Sequence, residues 1–156
     1  MRKHLLFSLL LALNLFFLAL LVYAWTEGVV WGMISSDRTG FMMWTILFVG
    51  GFGVVWTVAR SWQATRGHQF VPHISAMFPT LLTGLGLLGT VMGLAIMVSH
   101  MNFNVGDVAA TKTALGVVLS GFGLAINTTI AGLIFALWVG INNAVMAVLL
   151  RLEEAI

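Results

Sequence analysis

Thr90, Ser120, Asn127, Thr128 and Thr129 are hydrogen-bonding side chains that stand inside otherwise apolar sequence. A hydroxyl both donates and accepts, so two or more in register can pass a proton or ligate a small cation. The same groups can also hold helices together. A lone threonine in an apolar helix bonds back to its own backbone and needs no other partner. Asparagine is harder to hide. Asn127 therefore either bridges helices or lines a hydrated path, and Thr90 and Ser120 are candidates for the same polar lining.

Acids and bases are missing from these apolar stretches. No Asp, Glu, Lys, Arg or His lies within the four long uncharged runs set out below. A Ser–His–Asp set, paired carboxylates at membrane depth and a ligand cluster are all lacking, so no enzyme, cofactor or metal function is expected. His4, His68, His73 and His100 are scattered near run ends and read as solvated loop residues. A proton or ion carrier ordinarily keeps a titratable group in the membrane. If ions move along these hydroxyls, the titrating residue must come from another chain.

Two formal motifs fail on context. Gly84-x-Gly86-x-x-Gly89 has the spacing of a dinucleotide fingerprint, but its glycines lie inside an apolar helical run rather than between a strand and a helix. Asn127-Thr128-Thr129 has the form of a glycosylation sequon at bilayer depth.

The polar residues are interleaved with small ones. Gly86, Gly89 and Gly93 fall on one helical face, with Thr90 beside them, and Gly89-xxx-Gly93 is a small-xxx-small pair. Gly121, Ala125, Gly132, Ala136 and Gly140 recur at spacings of three or four around Thr128 and Thr129. Both stripes predict helices that pack closely on other helices, and packing alone would account for them.

The elements that carry these residues follow from composition. Of 156 residues, 60% are hydrophobic and 8% charged, with a mean hydropathy of +1.05. An ordinary soluble domain carries about 25% charged residues, so the expected solvent is the bilayer. The net charge of +2 comes from scattered bases, which form no basic patch for nucleic acid. Uncharged runs at 5–25, 41–59, 77–99 and 113–150 span 21, 19, 23 and 38 residues. The first three are about 28–35 Å long as helices, which matches the hydrocarbon core. The fourth holds no proline and reads as one over-long helix projecting past a membrane face. The expected fold is thus an all-α integral membrane protein of four transmembrane helices, a single membrane domain over 1–156 with no separate soluble domain. Short linkers are expected at 27–40, 60–76 and 100–112, with Pro79 marking the start of the third helix.

Arg2, Lys3, Arg60, Arg66 and Arg151 fall on one side of this topology, and Arg38 and Lys112 on the other with Glu27, Asp37 and Asp107. The bias places both termini in the cytoplasm. Trp25, Trp31, Trp44, Trp56 and Trp62 sit near run ends, as interfacial anchors do. Residues 1–24 also resemble a signal peptide ending at Val22-Tyr23-Ala24, but the apolar run is longer than the usual h-region, so an uncleaved anchor is expected.

Gly86-Leu87-Leu88-Gly89-Thr90-Val91-Met92-Gly93 resembles the G-L-x-G-T-V-x-G signature of the MotA/TolQ/ExbB proton-channel family. Ala125-Ile126-Asn127-Thr128-Thr129-Ile130-Ala131-Gly132-Leu133 is similar to that family's A-L-x-x-T-x-x-G-L segment on its last transmembrane helix. The order of the motifs and the over-long final helix match as well, and the resemblance covers about residues 77–145. It implies a stator subunit of an ion-driven motor in the bacterial inner membrane. Five copies would form a helical ring around two copies of a single-span partner of the MotB/TolR/ExbD type. The partner's Asp would bind H⁺ or Na⁺, with Thr90 and Thr129 lining the path beside it.

The sequence departs from the pattern in two places. Leu124 stands where the TolQ and ExbB branch usually has Glu, and the segment 60–76 is far shorter than the rotor-engaging domain of MotA proteins. An envelope role or a specialised motor such as ZorA fits better than flagellar torque. The reading that rests on the small-residue stripes alone is a structural membrane scaffold or assembly factor without ion conduction.

Overall fold

The protein is described from a computed structural model that covers residues 2–36, 41–66, 73–99 and 108–154. The expectations placed on Asp37, Arg38, His68, His100 and Asp107 lie outside the described residues.

Those residues form five helices: α1 (Arg2–Thr26), α2 (Val29–Ser36), α3 (Met42–Thr65), α4 (His73–Ser99) and α5 (Val108–Glu154). No strand occurs among the described residues. Four stretches are long and apolar enough to cross a membrane: Phe7–Thr26, Met42–Gln63, Ser75–Ser99 and Ala109–Val148. The chain is a multi-pass membrane protein by that criterion. The 47 residues of α5 make a rod of about 70 Å at 1.5 Å per residue.

Three sequence expectations need correction. The linker expected at 27–40 contains a helix, α2. Gly28 ends α1 in the left-handed region with φ +74°, and its N–H closes back on Trp25 O at 3.0 Å. Its carbonyl then accepts from Gly32 N at 2.8 Å, so one residue ends α1 and opens α2. The short helix is held by tertiary contact: Val30 is buried, and Met33 and Ile34 pack on the core. The second correction is at Arg60, expected to open a linker; α3 runs on to Thr65. The Arg60 guanidinium lies 4.7 Å from the Trp56 ring centroid, so its charge rests against the indole one turn back along α3. Consequently two of the spans include a base near one end, Arg60 and Lys112, where none was expected.

Pro79 is the third. It lies inside α4, which begins six residues earlier at His73. A proline within a helix leaves the carbonyl four residues back without its donor. Here that carbonyl belongs to Ser75, and Asn143 Nδ2 of α5 donates to it at 2.7 Å.

The core forms where α3, α4 and α5 meet. Met43, Ile46, Leu82, Ala131, Phe135, Ala136, Trp138 and Val139 are its buried members. Phe135 occupies the space a side chain at Gly50 would need, since a Cβ there would lie 2.5 Å from the Phe135 ring. α1 packs on the outside through Phe17, stacked on Trp138 at 5.2 Å between centroids. The outer surface is apolar, as hydrocarbon requires: Leu15, Phe16, Phe48, Val55, Val91, Leu119 and Leu137 are all exposed.

Candidate functional site

The antiparallel seam of α4 and α5 brings the two small-residue stripes together. A Cβ on Gly93 would lie 2.5 Å from Gly121 O and 2.8 Å from Ala125 N. One on Gly132 would lie 2.7 Å from Leu82 O and 2.9 Å from Gly86 Cα. One on Gly86 would meet Thr128 O at 3.2 Å, and Gly89 faces the side chain of Thr128. Gly93, Gly121 and Gly132 are therefore where the backbones touch and a Cβ would collide, with Ala125 against Gly93, Gly86 in a tighter than ordinary contact and Gly89 filled by the Thr128 side chain. Ala136 is buried in the adjoining core. Gly140 has nothing within 4 Å of its Cβ position and takes no part in the close approach.

This approach sets two hydroxyls face to face. Thr90 Oγ1 of α4 is hydrogen-bonded to Thr129 Oγ1 of α5. Thr129 Oγ1 also donates to Ala125 O at 2.9 Å. Thr90 Oγ1 lies 3.1 Å from Gly86 O and 3.3 Å from Ala125 O. Each hydroxyl has one proton and two lone pairs. With Thr129 donating to Ala125 O, Thr90 can donate to Thr129, and the lone pairs of Thr90 remain to accept from a further donor. Both residues are half-buried. On α4 and α5 their neighbours include Leu87, Leu94, Ile126 and Leu133, which are exposed. The pair thus lies at the edge of the seam, between its buried side and the open face.

The other expected lining residues are not at this pair. Thr128 is buried on the seam and bonds within α5, to Leu124 O at 2.8 Å and Ala125 O at 3.3 Å. At 100° per residue, Asn127 and Ser120 share one side of α5, about half a turn from Thr129. Both are half-buried. One helix face cannot carry all five groups, so Thr90 and Thr129 form the site that the structure brings together.

A second polar cluster was missed in the sequence. Asn14 Nδ2 donates to Asn142 Oδ1 at 2.9 Å, and Asn142 Nδ2 returns a bond to Asn14 Oδ1 at 3.0 Å. Trp138 Nε1 donates to the same Asn14 oxygen at 2.8 Å, and Asn14 Nδ2 also reaches Leu10 O at 2.8 Å. Thr57 of α3 lies 3.4 Å from Asn142 Nδ2. Asn142 and Thr57 are fully buried. The signal was present: an asparagine in an apolar run needs a partner, and that reasoning applies to Asn14 and Asn142 as much as to Asn127. Among the described residues, no three His, Cys, Asp or Glu side chains come together as a metal site.

No family model, curated protein or solved structure matches the chain.

Proposed function

We propose that the chain is the channel and stator subunit of an ion-driven motor in a bacterial inner membrane. The supporting observation is the hydroxyl pair of Thr90 and Thr129, which joins the two motif-like segments across the α4–α5 seam. Thr90 has spare lone pairs at the edge of an exposed apolar face, so an acid or ion presented there would find an acceptor. The spans around the pair contain no carboxyl group, and their one base, Lys112, lies near the start of α5 well away from Thr129, which fits a carboxyl brought by a partner helix. One charge crossing 100 mV releases about 2.3 kcal/mol, enough to reorganise such a contact.

In this reading five copies surround two single-span partners of the MotB/TolR/ExbD type. Both termini lie in the cytoplasm, and the far part of α5 projects beyond the bilayer. α1 is a retained anchor, because its removal would strip Asn142 of Asn14. The test is reconstitution of the full chain with its partner in vesicles, measuring H⁺ and Na⁺ flux under an imposed potential. Thr129→Val keeps the shape of the side chain and removes the hydroxyl. We expect flux to fall at least tenfold, a loss of about 1.4 kcal/mol in the barrier balance; undiminished flux overturns the assignment. A subunit count by native mass spectrometry tests the pentamer.

The second reading is a membrane scaffold without conduction. The closed Asn14–Asn142–Trp138 cluster favours it, because there the polar groups serve to fasten helices. A scaffold assembles and works identically when the gradient is collapsed by an uncoupler.

A further inference from the structure

The opposite end of α3 from α2 carries an open surface cavity of about 700 Å³, lined among the described residues by Ala59, Trp62, Gln63 and Arg66 along one side of that helix. Its position is interfacial: the apolar span of α3 ends at Gln63, and Arg66 follows just after the helix. The Arg66 guanidinium is held 5.1 Å from the Trp62 ring centroid. Trp62 in turn meets Phe7 of α1 edge to face, with centroids 5.5 Å apart. That contact places the start of α1 beside the end of α3, so Arg2 and Lys3 in the first turn of α1 belong to the same end as Arg60 and Arg66. Arg60 is set on Trp56 one turn earlier and bonds Gln63 Oε1 at 3.2 Å.

We propose that this cavity binds the phosphate of an anionic phospholipid. Each part of the lining matches a part of that ligand. The guanidinium of Arg66 is a planar fork suited to two phosphate oxygens. Gln63 offers an amide N–H to the headgroup, since its carbonyl oxygen accepts from Arg60. Ala59 and the Trp62 ring provide an apolar wall on the bilayer side, where the glycerol and upper acyl chain lie. A free anion would use the guanidinium but gain nothing from that wall. The α3 carbonyl terminus disfavours anions, so affinity depends on Arg66 rather than on the backbone. The site stands on the geometry of α1 and α3 and is independent of the motor reading.

The test uses the full chain in vesicles of equal parts phosphatidylglycerol and phosphatidylcholine, extracted gently and weighed with its retained lipid by native mass spectrometry. The native chain is expected to retain phosphatidylglycerol preferentially. Arg66→Gln is expected to reduce that preference about fivefold, the effect of one basic side chain at an anionic surface. Arg66→Lys keeps the charge without the fork and should fall between the two. Thermal melting by circular dichroism establishes that each variant is folded; Arg66 is exposed, so the helices should be unaffected. Equal retention of both lipids by the native chain, or an unchanged preference in Arg66→Gln, overturns the proposal. So does displacement of the bound lipid by millimolar inorganic phosphate, which would identify a free-anion site instead.

Discussion

Asn143 of α5 donates from Nδ2 to the carbonyl of Ser75 at 2.7 Å, and Ser75 is the residue whose helical donor Pro79 has removed. The side chain of one helix thus completes the backbone of another. In hydrocarbon an unfilled carbonyl costs several kcal/mol, so a proline inside a spanning helix persists only where something replaces the lost N–H.

This relationship makes a double-mutant prediction. Asn143→Leu should destabilise the protein by about 1–2 kcal/mol, because it removes the side-chain donor to the Ser75 carbonyl. Pro79→Ala restores the backbone N–H, so in that background the same change should cost about 1 kcal/mol less. Unfolding in mixed detergent, followed by circular dichroism, measures both. Equal costs in the two backgrounds would break the link between Pro79 and Asn143.

The glycine seam makes opposite predictions for different glycines. Gly93→Ala places a methyl against the backbone at Gly121 and Ala125, which cannot rotate away. We expect a loss of about 1–3 kcal/mol. Gly84→Ala meets nothing within 4 Å and should be neutral or slightly stabilising, since alanine is the better helix former by about 1 kcal/mol. The same unfolding assay compares them.

Asn14 and Asn142 form a reciprocal amide pair, so either alone is worse than neither. Asn14→Leu should cost about 1 kcal/mol, in the range found for polar contacts between membrane helices. Adding Asn142→Leu should recover part of it, because the buried amide then left with only a long contact to Thr57 is removed as well. A double mutant less stable than the sum of the singles would contradict the pairing.

Thr128 and Thr129 are adjacent, and their variants should behave differently. Thr128 bonds only carbonyls of its own helix in the contacts seen here, so Thr128→Val should leave ion flux within about twofold, roughly 0.4 kcal/mol. Thr129→Val should abolish most of it. Flux lost equally in both would mean that the seam, rather than the hydroxyl pair, is what conduction depends on.

Residue type alone determined the solvent, the number of spans and the stripes that would touch. Those follow from sums over side chains: the cost of charge in hydrocarbon, the length of an uncharged run and the 3.6-residue repeat are all local. The run limits at 41 and 99 therefore fall at the ends of α3 and α4 to within one residue. By sequence alone Arg60 opens a linker, Pro79 marks a helix start and 29–36 lies in a linker, because a charge, a proline or a short length bounds an isolated helix. Tertiary contact overrode each, through the Trp56 ring, the Asn143 amide and the packing of Val30, Met33 and Ile34. Only the tertiary structure decided which polar groups meet. Asn14 and Asn142 are 128 positions apart, and Thr90 and Thr129 are 39 apart. Their pairing depends on the azimuth and register at which two helices dock. The glycine contacts between α4 and α5 set that geometry for Thr90 and Thr129, and the docking of α1 on Trp138 sets it for Asn14 and Asn142; it is a property of no helix by itself.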